Sequence, residues 1–128
     1  MRKLTLLLLI CMLLTACSAK AVVPQGGVYR MSVPPETVIA PTLTLNAEEN
    51  TFLFSYDVLS SFLPIGAFTQ EDDVIICTRD ETHAYLFRVV NETTLAFIQE
   101  GSSDVSLIDE RFGPQVTDGS VFLLTPEP

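Results

Sequence analysis

The chain has 128 residues, a length that suits one domain with a single core, and carries 16 Asp and Glu against 7 Lys and Arg, for a formal net charge of −9. That balance argues against nucleic acid as a partner, since such binding depends on Lys and Arg neutralising phosphates. With one histidine, His83, the chain is short of donors for a zinc-type site, which takes several His or Cys ligands.

In chain order, Met1-Arg2-Lys3 precede an apolar run from Leu4 to Leu14, and Thr15-Ala16-Cys17 follow it. A charged start, a short apolar stretch and small residues after it make a secretory signal. The run is too short to span a bilayer, which takes roughly 20 residues. Leu14-Thr15-Ala16-Cys17 resembles the lipobox of bacterial lipoproteins. The resemblance implies a diacylglycerol thioether on Cys17, cleavage before it, and a mature chain anchored on the extracytoplasmic face of a bacterial cell membrane. Ser18 stands where a retention aspartate would be, so in a double-membraned source the family rule directs the protein to the outer membrane. Each buried CH₂ contributes about 0.8 kcal/mol and two acyl chains hold a protein stably. Loss of residues 1–16 removes Arg2 and Lys3 and takes the net charge from −9 to −11. An acidic body is repelled by anionic lipid and stands off the surface.

Residues 17–25 read as the lipidated cysteine and a tether, and 26–125 as the folded domain. Strands are expected from runs of Val, Ile, Thr, Tyr and Phe between turn formers. The first is Gly27 to Ser32, ended by Val33-Pro34-Pro35-Glu36 because proline cannot donate to a ladder. Thr42 to Asn46 and Thr51 to Asp57 form a hairpin around Ala47-Glu48-Glu49-Asn50, with Phe52, Phe54 and Tyr56 on one stripe. Ser60 to Pro64 is a bend or one helical turn. Ile65 to Thr69 pairs with Val74 to Thr78 across Gln70 to Asp73. After the turn Arg79 to Thr82, His83 to Val90 alternates, with Tyr85, Phe87 and Val89 on one face. Asn91-Glu92-Thr93 turns into Thr94 to Gln99. A looser polar stretch, Glu100 to Asp118, precedes a last strand, Gly119 to Thr125. Short turns favour an antiparallel meander with neighbours paired in order. Seven or eight short strands predict a small all-β barrel, closed or half open, with a two-sheet sandwich as the alternative.

Pro41-Thr42-Leu43-Thr44-Leu45, Phe52-Leu53-Phe54-Ser55-Tyr56, Leu59 to Phe68, Tyr85-Leu86-Phe87-Arg88-Val89 and Asp118 to Phe122 together resemble a small uncharacterised β-meander domain of Firmicutes. That domain occurs as stand-alone lipoproteins and as the tail of membrane zinc-peptidases of the β-lactam-sensor type. The resemblance implies an extracytoplasmic β domain and hardly an activity. A more distant likeness is to NlpE-type copper-resistance lipoproteins. Their Cys-x-x-Cys pair is missing from Met31 to Ala40, so copper binding does not carry over.

Candidate chemistry is sparse. Cys11 leaves with the signal and Cys17 takes lipid, so Cys77, in the apolar run Val74 to Thr78, reads as a small buried hydrophobe. His83 beside Asp80 and Glu81 reads as a surface histidine at a strand start. No Gly-x-Ser-x-Gly elbow accompanies it, and Ser60-Ser61 suits a bend. Glu71-Asp72-Asp73 lacks the spaced ligands and glycine of a calcium loop and reads as a hairpin tip. Asn91-Glu92-Thr93 matches a glycosylation acceptor but reads as a turn. The 16 acids give many accidental carboxylate pairs, so pairing for glycoside cleavage has no specificity. Phe54, Tyr56, Tyr85 and Phe87 either line a lipocalin-like pocket or fill the core, and a barrel this small is usually just wide enough for its own side chains. The expectation is a non-enzymatic, cofactor-free interaction module, anchored through Cys17, that contacts an envelope protein or a cell-wall component. A carrier of a small apolar ligand is the alternative.

Overall fold

A computed structural model describes residues 21–126. Eight strands follow in chain order: β1 (Gly27–Met31), β2 (Thr42–Asn46), β3 (Thr51–Ser55), β4 (Ile65–Glu71), β5 (Val74–Thr78), β6 (Ala84–Asn91), β7 (Thr94–Ile98) and β8 (Val121–Leu124). Each strand pairs antiparallel with its neighbour in sequence, and β8 returns to β1, so the meander closes into a barrel. Closure leaves no sheet edge to template another chain. A single 3₁₀ turn, Glu110–Phe112, lies in the long β7–β8 connection.

The period-2 alternation of a strand decides which side chains point inward. Leu43 and Leu45 on β2, Phe52 and Phe54 on β3, Ile75 and Cys77 on β5, and Tyr85 and Phe87 on β6 are all buried, with less buried residues between them. Register stacks them across the ladder: Leu43 faces Phe54, Ile75 faces Phe87, and Phe87 faces Phe97. Phe54 is the hub. Its ring centroid lies 5.2 Å from Phe87, 5.3 Å from Tyr85 and 6.0 Å from Phe122, all edge-on. That geometry suits the ring quadrupole and contributes about 0.5–1.5 kcal/mol per pair beyond burial.

β4 departs from this pattern and buries none of its residues fully. Its inward positions hold Gly66, opposite Phe52, and Phe68, opposite Cys77. At Gly66 an added Cβ would sit 2.2 Å from the Thr78 carbonyl oxygen, so the close approach of the end of β5 there admits only glycine. β4 also runs on to Glu71, past the expected end at Thr69, because Glu71 still pairs with Val74. That leaves a two-residue turn, in which Asp72 adopts φ 53°. Tight hairpins need positive φ, and Asp tolerates it. β3 stops at Ser55, and Tyr56 lies just beyond it.

The barrel has two unlike ends. At one, short turns carry Glu48, Glu49, Asp72, Asp73 and Glu92. Both ends of the described chain are fastened there. Gln25 N donates to the Glu92 carbonyl (2.8 Å) and Thr125 N to the Val28 carbonyl (2.8 Å). Tyr29 Oη donates to the carbonyls of Gln25 (2.5 Å) and Glu92 (3.1 Å). At the other end lie the long connections 32–41, 56–64 and 99–120. The last of these caps the barrel with Val105 and Val116, both buried.

Candidate functional site

The long-loop end carries the features not used up by the fold. It is built from three long connections, with the short β5–β6 turn beside them. The 99–120 connection is stitched to the barrel by polar side chains. Ser102 Oγ accepts from Leu86 N (2.8 Å) and donates to the Ile98 carbonyl (2.5 Å). Gln115 Nε2 donates to the carbonyls of Val105 (2.8 Å) and Val116 (2.9 Å), and its Oε1 accepts from Leu107 N (3.1 Å). The 56–64 bend is held by Asp57, which accepts from Leu59 N (3.0 Å) and, across the chain, from Ile108 N (2.8 Å). Ser60 Oγ accepts from Phe62 N (3.1 Å), a local bend contact. The 32–41 connection is tied down by Arg30, whose Nη2 donates to the Thr37 carbonyl (3.2 Å).

Beyond Thr37 the same connection is exposed and apolar. Val38 is 91% exposed and Ile39 47%, and Phe112, 51% exposed, stands on the facing connection. A groove of about 240 Å³ lies between them, lined by Thr37, Val38, Ile39, Arg111, Phe112 and Gly113. It adjoins a second recess that shares Ile39, Phe112 and Gly113 and reaches Tyr56 and Val58. Large apolar side chains grouped on one surface mark a contact surface more often than scattered ones do. Four carboxylates, Glu36, Asp57, Asp109 and Glu110, belong to the segments that bound these recesses. Arg111 is held by Asp109 (2.7 Å). This ion pair, with the Arg111 backbone N–H donating to the same carboxylate, keeps Asp109 below the usual carboxylate range.

The aromatic residues singled out from the sequence lie together. Phe54, Tyr85 and Phe87 are wholly buried, and Tyr56 is half-buried where the barrel meets the 56–64 bend. Burial raises the pKa of Tyr56 and, more strongly, that of Tyr85. Tyr85 Oη is buried near the Tyr56 hydroxyl but makes no hydrogen bond of good geometry among the described residues. A cleft of about 160 Å³ opens beside Tyr56, bounded by Phe54, Asp57, Phe62 and Leu63. Phe54 and Tyr56 are in ring contact, their centroids 5.2 Å apart.

His83 begins the approach to β6 and is pinned by the preceding turn. Asp80 accepts from Arg79 Nη1 (2.6 Å), from Thr82 N (2.9 Å) and from His83 Nδ1 (2.9 Å). These contacts, the histidine first, hold the Asp80 carboxyl well below the usual carboxylate range. The Arg79 guanidinium and the His83 ring both pack on Phe62, at 4.2 Å and 4.9 Å from its centroid. The cluster joins the β5–β6 turn to the 56–64 bend. No serine hydroxyl bonds to His83 among the described residues.

Elsewhere, Cys77 is buried and unpaired, and burial pushes its thiol pKa up. In the acidic hairpin Asp73 pairs with Arg88 (3.1 Å) and the Asp72 carbonyl accepts from Gln70 (2.9 Å). Among the described residues no three His, Cys, Asp or Glu side chains gather as metal ligands. Asn91 serves the β6–β7 turn, its Oδ1 accepting from Thr93 N (2.9 Å). Cys17 lies outside the described residues. Sequence reasoning missed the Val38–Phe112 groove. The visible signal was Thr37-Val38-Ile39-Ala40, an apolar run after two prolines with no strand assigned to it. Compared with protein-family models, curated proteins and solved structures, the chain matches none.

Proposed function

We propose that this chain is a lipid-anchored envelope module, held on the outer side of a bacterial membrane through Cys17, that works by contact with another envelope component rather than by catalysis. The observation that supports it best is the polarity of the barrel. The N-terminal segment reaches the barrel at the acidic short-turn end, where Gln25 and Tyr29 bind Glu92, and the exposed apolar groove lies at the opposite end. From Cys17 to Gln25 the chain reaches at most about 28 Å when fully extended. A lipid on Cys17 thus keeps the acidic end near the bilayer and turns the groove outward. Carboxylates facing anionic headgroups hold the body off the surface.

A carrier of a small apolar ligand has less support. The rings that would line its pocket are in mutual contact, with Phe54 and Phe87 centroids 5.2 Å apart, so a ligand has to displace packed core.

Mass spectrometry of the protein isolated from its native membrane tests the anchor. A diacylglycerol mass on an N-terminal Cys17 is expected, and Cys17→Ser should move the protein from the membrane fraction to the soluble fraction. A free thiol at Cys17 in the membrane-bound protein overturns the proposal.

A further inference from the structure

Residues 22–26, just before β1, lie across the short-turn end of the barrel and touch all three hairpins there. Gly26 packs on the β2–β3 turn, where a Cβ added to it would meet Ala47 Cβ at 3.1 Å. Gln25 N donates to the Glu92 carbonyl in the β6–β7 turn (2.8 Å). The Val22 carbonyl accepts from Gln70 Nε2 on β4 (2.7 Å), and the same amide donates to the Asp72 carbonyl in the β4–β5 turn (2.9 Å). Pro24, between these two fastenings, is buried. Tyr29 Oη braces the crossing from β1 by donating to the carbonyls of Gln25 and Glu92. The segment thus joins hairpins that the meander itself does not pair with one another.

On the reading that Cys17 carries lipid, we propose that residues 22–26 are a strap that moves the chain's point of departure from the β6–β7 turn to the β4–β5 hairpin and mounts the barrel on the bilayer with that hairpin nearest it. The strap shortens the leash. From Cys17 to Val22 the chain reaches at most about 18 Å when fully extended, against about 28 Å to Gln25. The departure point also lies on the rim of the barrel, beside β4, so the lipid holds the body by one edge of its short-turn end. The Gln70 amide is the clasp. Loss of one hydrogen bond of this kind shifts a docked fraction about fivefold, so the clasp decides whether the long or the short leash operates.

The test uses the intact protein isolated from its native membrane and placed in phosphatidylcholine nanodiscs. A fluorophore on Val38→Cys, at the long-loop end, reports its distance from acceptor-labelled lipid headgroups, and buried Cys77 escapes the label. A narrow distribution of heights is expected. Gln70→Ala removes the clasp on Val22 and should widen that distribution, while the Gln25 amide stays protected from hydrogen exchange and the melting temperature stays near the parent's. Gln70→Glu, which keeps the size and removes the donors, should do the same. Tyr29→Phe should instead speed exchange at the Gln25 amide by about fivefold or more. A height distribution that both Gln70 variants leave unchanged, or a parent Gln25 amide that exchanges as fast as an unstructured one, overturns the strap. Cys17 is read by mass on the same sample. Lipid present with an unprotected Gln25 sinks the strap alone. A bare Cys17 with a protected Gln25 sinks the anchor and leaves the strap docked.

Discussion

Two buried tyrosines show how little residue type alone says about energetics. Tyr29 and Tyr85 are both wholly buried. Tyr29 Oη donates to two carbonyls and ties the incoming chain to the β6–β7 turn. Tyr85 Oη has only the nearby Tyr56 hydroxyl, with which it makes no hydrogen bond of good geometry. A buried hydroxyl left unpaired costs about 1–3 kcal/mol. Tyr29→Phe should therefore destabilise the protein by about 1–2 kcal/mol, and Tyr85→Phe should cost no stability. Urea unfolding of the two variants checks this, and equal effects would refute it. The sequence could place both rings on inward faces by alternation. It could not say which hydroxyl would meet a carbonyl, because that depends on where the chain before β1 passes over the β6–β7 turn. Gly66 is similar. Its sequence signal is weak, and only the close approach of Thr78 on the neighbouring strand shows why a side chain is refused.

Among the elements, the strands were legible and the 99–120 connection was not. Alternation in β2, β3, β5, β6 and β7 shows in sequence because one face of each is buried. β4 alternates only between exposed and half-buried, and its end was misjudged by two residues for that reason. In the polar stretch after β7, Val105 and Val116 are isolated valines with no period, yet both complete the core. They are placed by Gln115, whose amide satisfies groups on Val105, Val116 and Leu107. Gln115→Ala leaves three backbone groups without that partner. A loss of about 2 kcal/mol is expected, with faster amide hydrogen exchange concentrated at Leu107. An exchange pattern that changes evenly over the whole barrel would contradict this role.

For the whole molecule, ionisation makes stability depend on pH. Asp80, Asp104 and Asp109 have pKa values lowered from 3.8 by hydrogen bonds and an ion pair. A lowered carboxyl binds fewer protons in the folded state, so its contribution is present above about 3.8 and is lost as pH falls below it. Burial raises the pKa of Tyr29 from 10.0 to about 12, and those of Tyr56 and Tyr85 also rise. A raised phenol keeps its proton longer when folded, so its contribution is whole below 10.0 and disappears as pH climbs towards about 12. The urea midpoint plotted against pH should fall off on both sides, and Tyr29→Phe should flatten the alkaline limb. An unchanged alkaline limb in that variant would assign the loss to another group.

From the sequence alone come the all-β class, the order of the strands, the antiparallel meander and most of the aromatic core. These follow from alternation and short turns, which are local properties of the chain. The expected anchor at Cys17 is likewise a local motif. Only the tertiary structure decided that the barrel closes, since that rests on β8 meeting β1 from opposite ends of the domain. It alone set both ends of the described chain at the end of the barrel opposite the groove, and brought Val38 beside Phe112 across a separation of 74 positions in the chain. Contacts between residues so distant depend on strand tilt and register summed around the whole sheet, and no local run of residues encodes them.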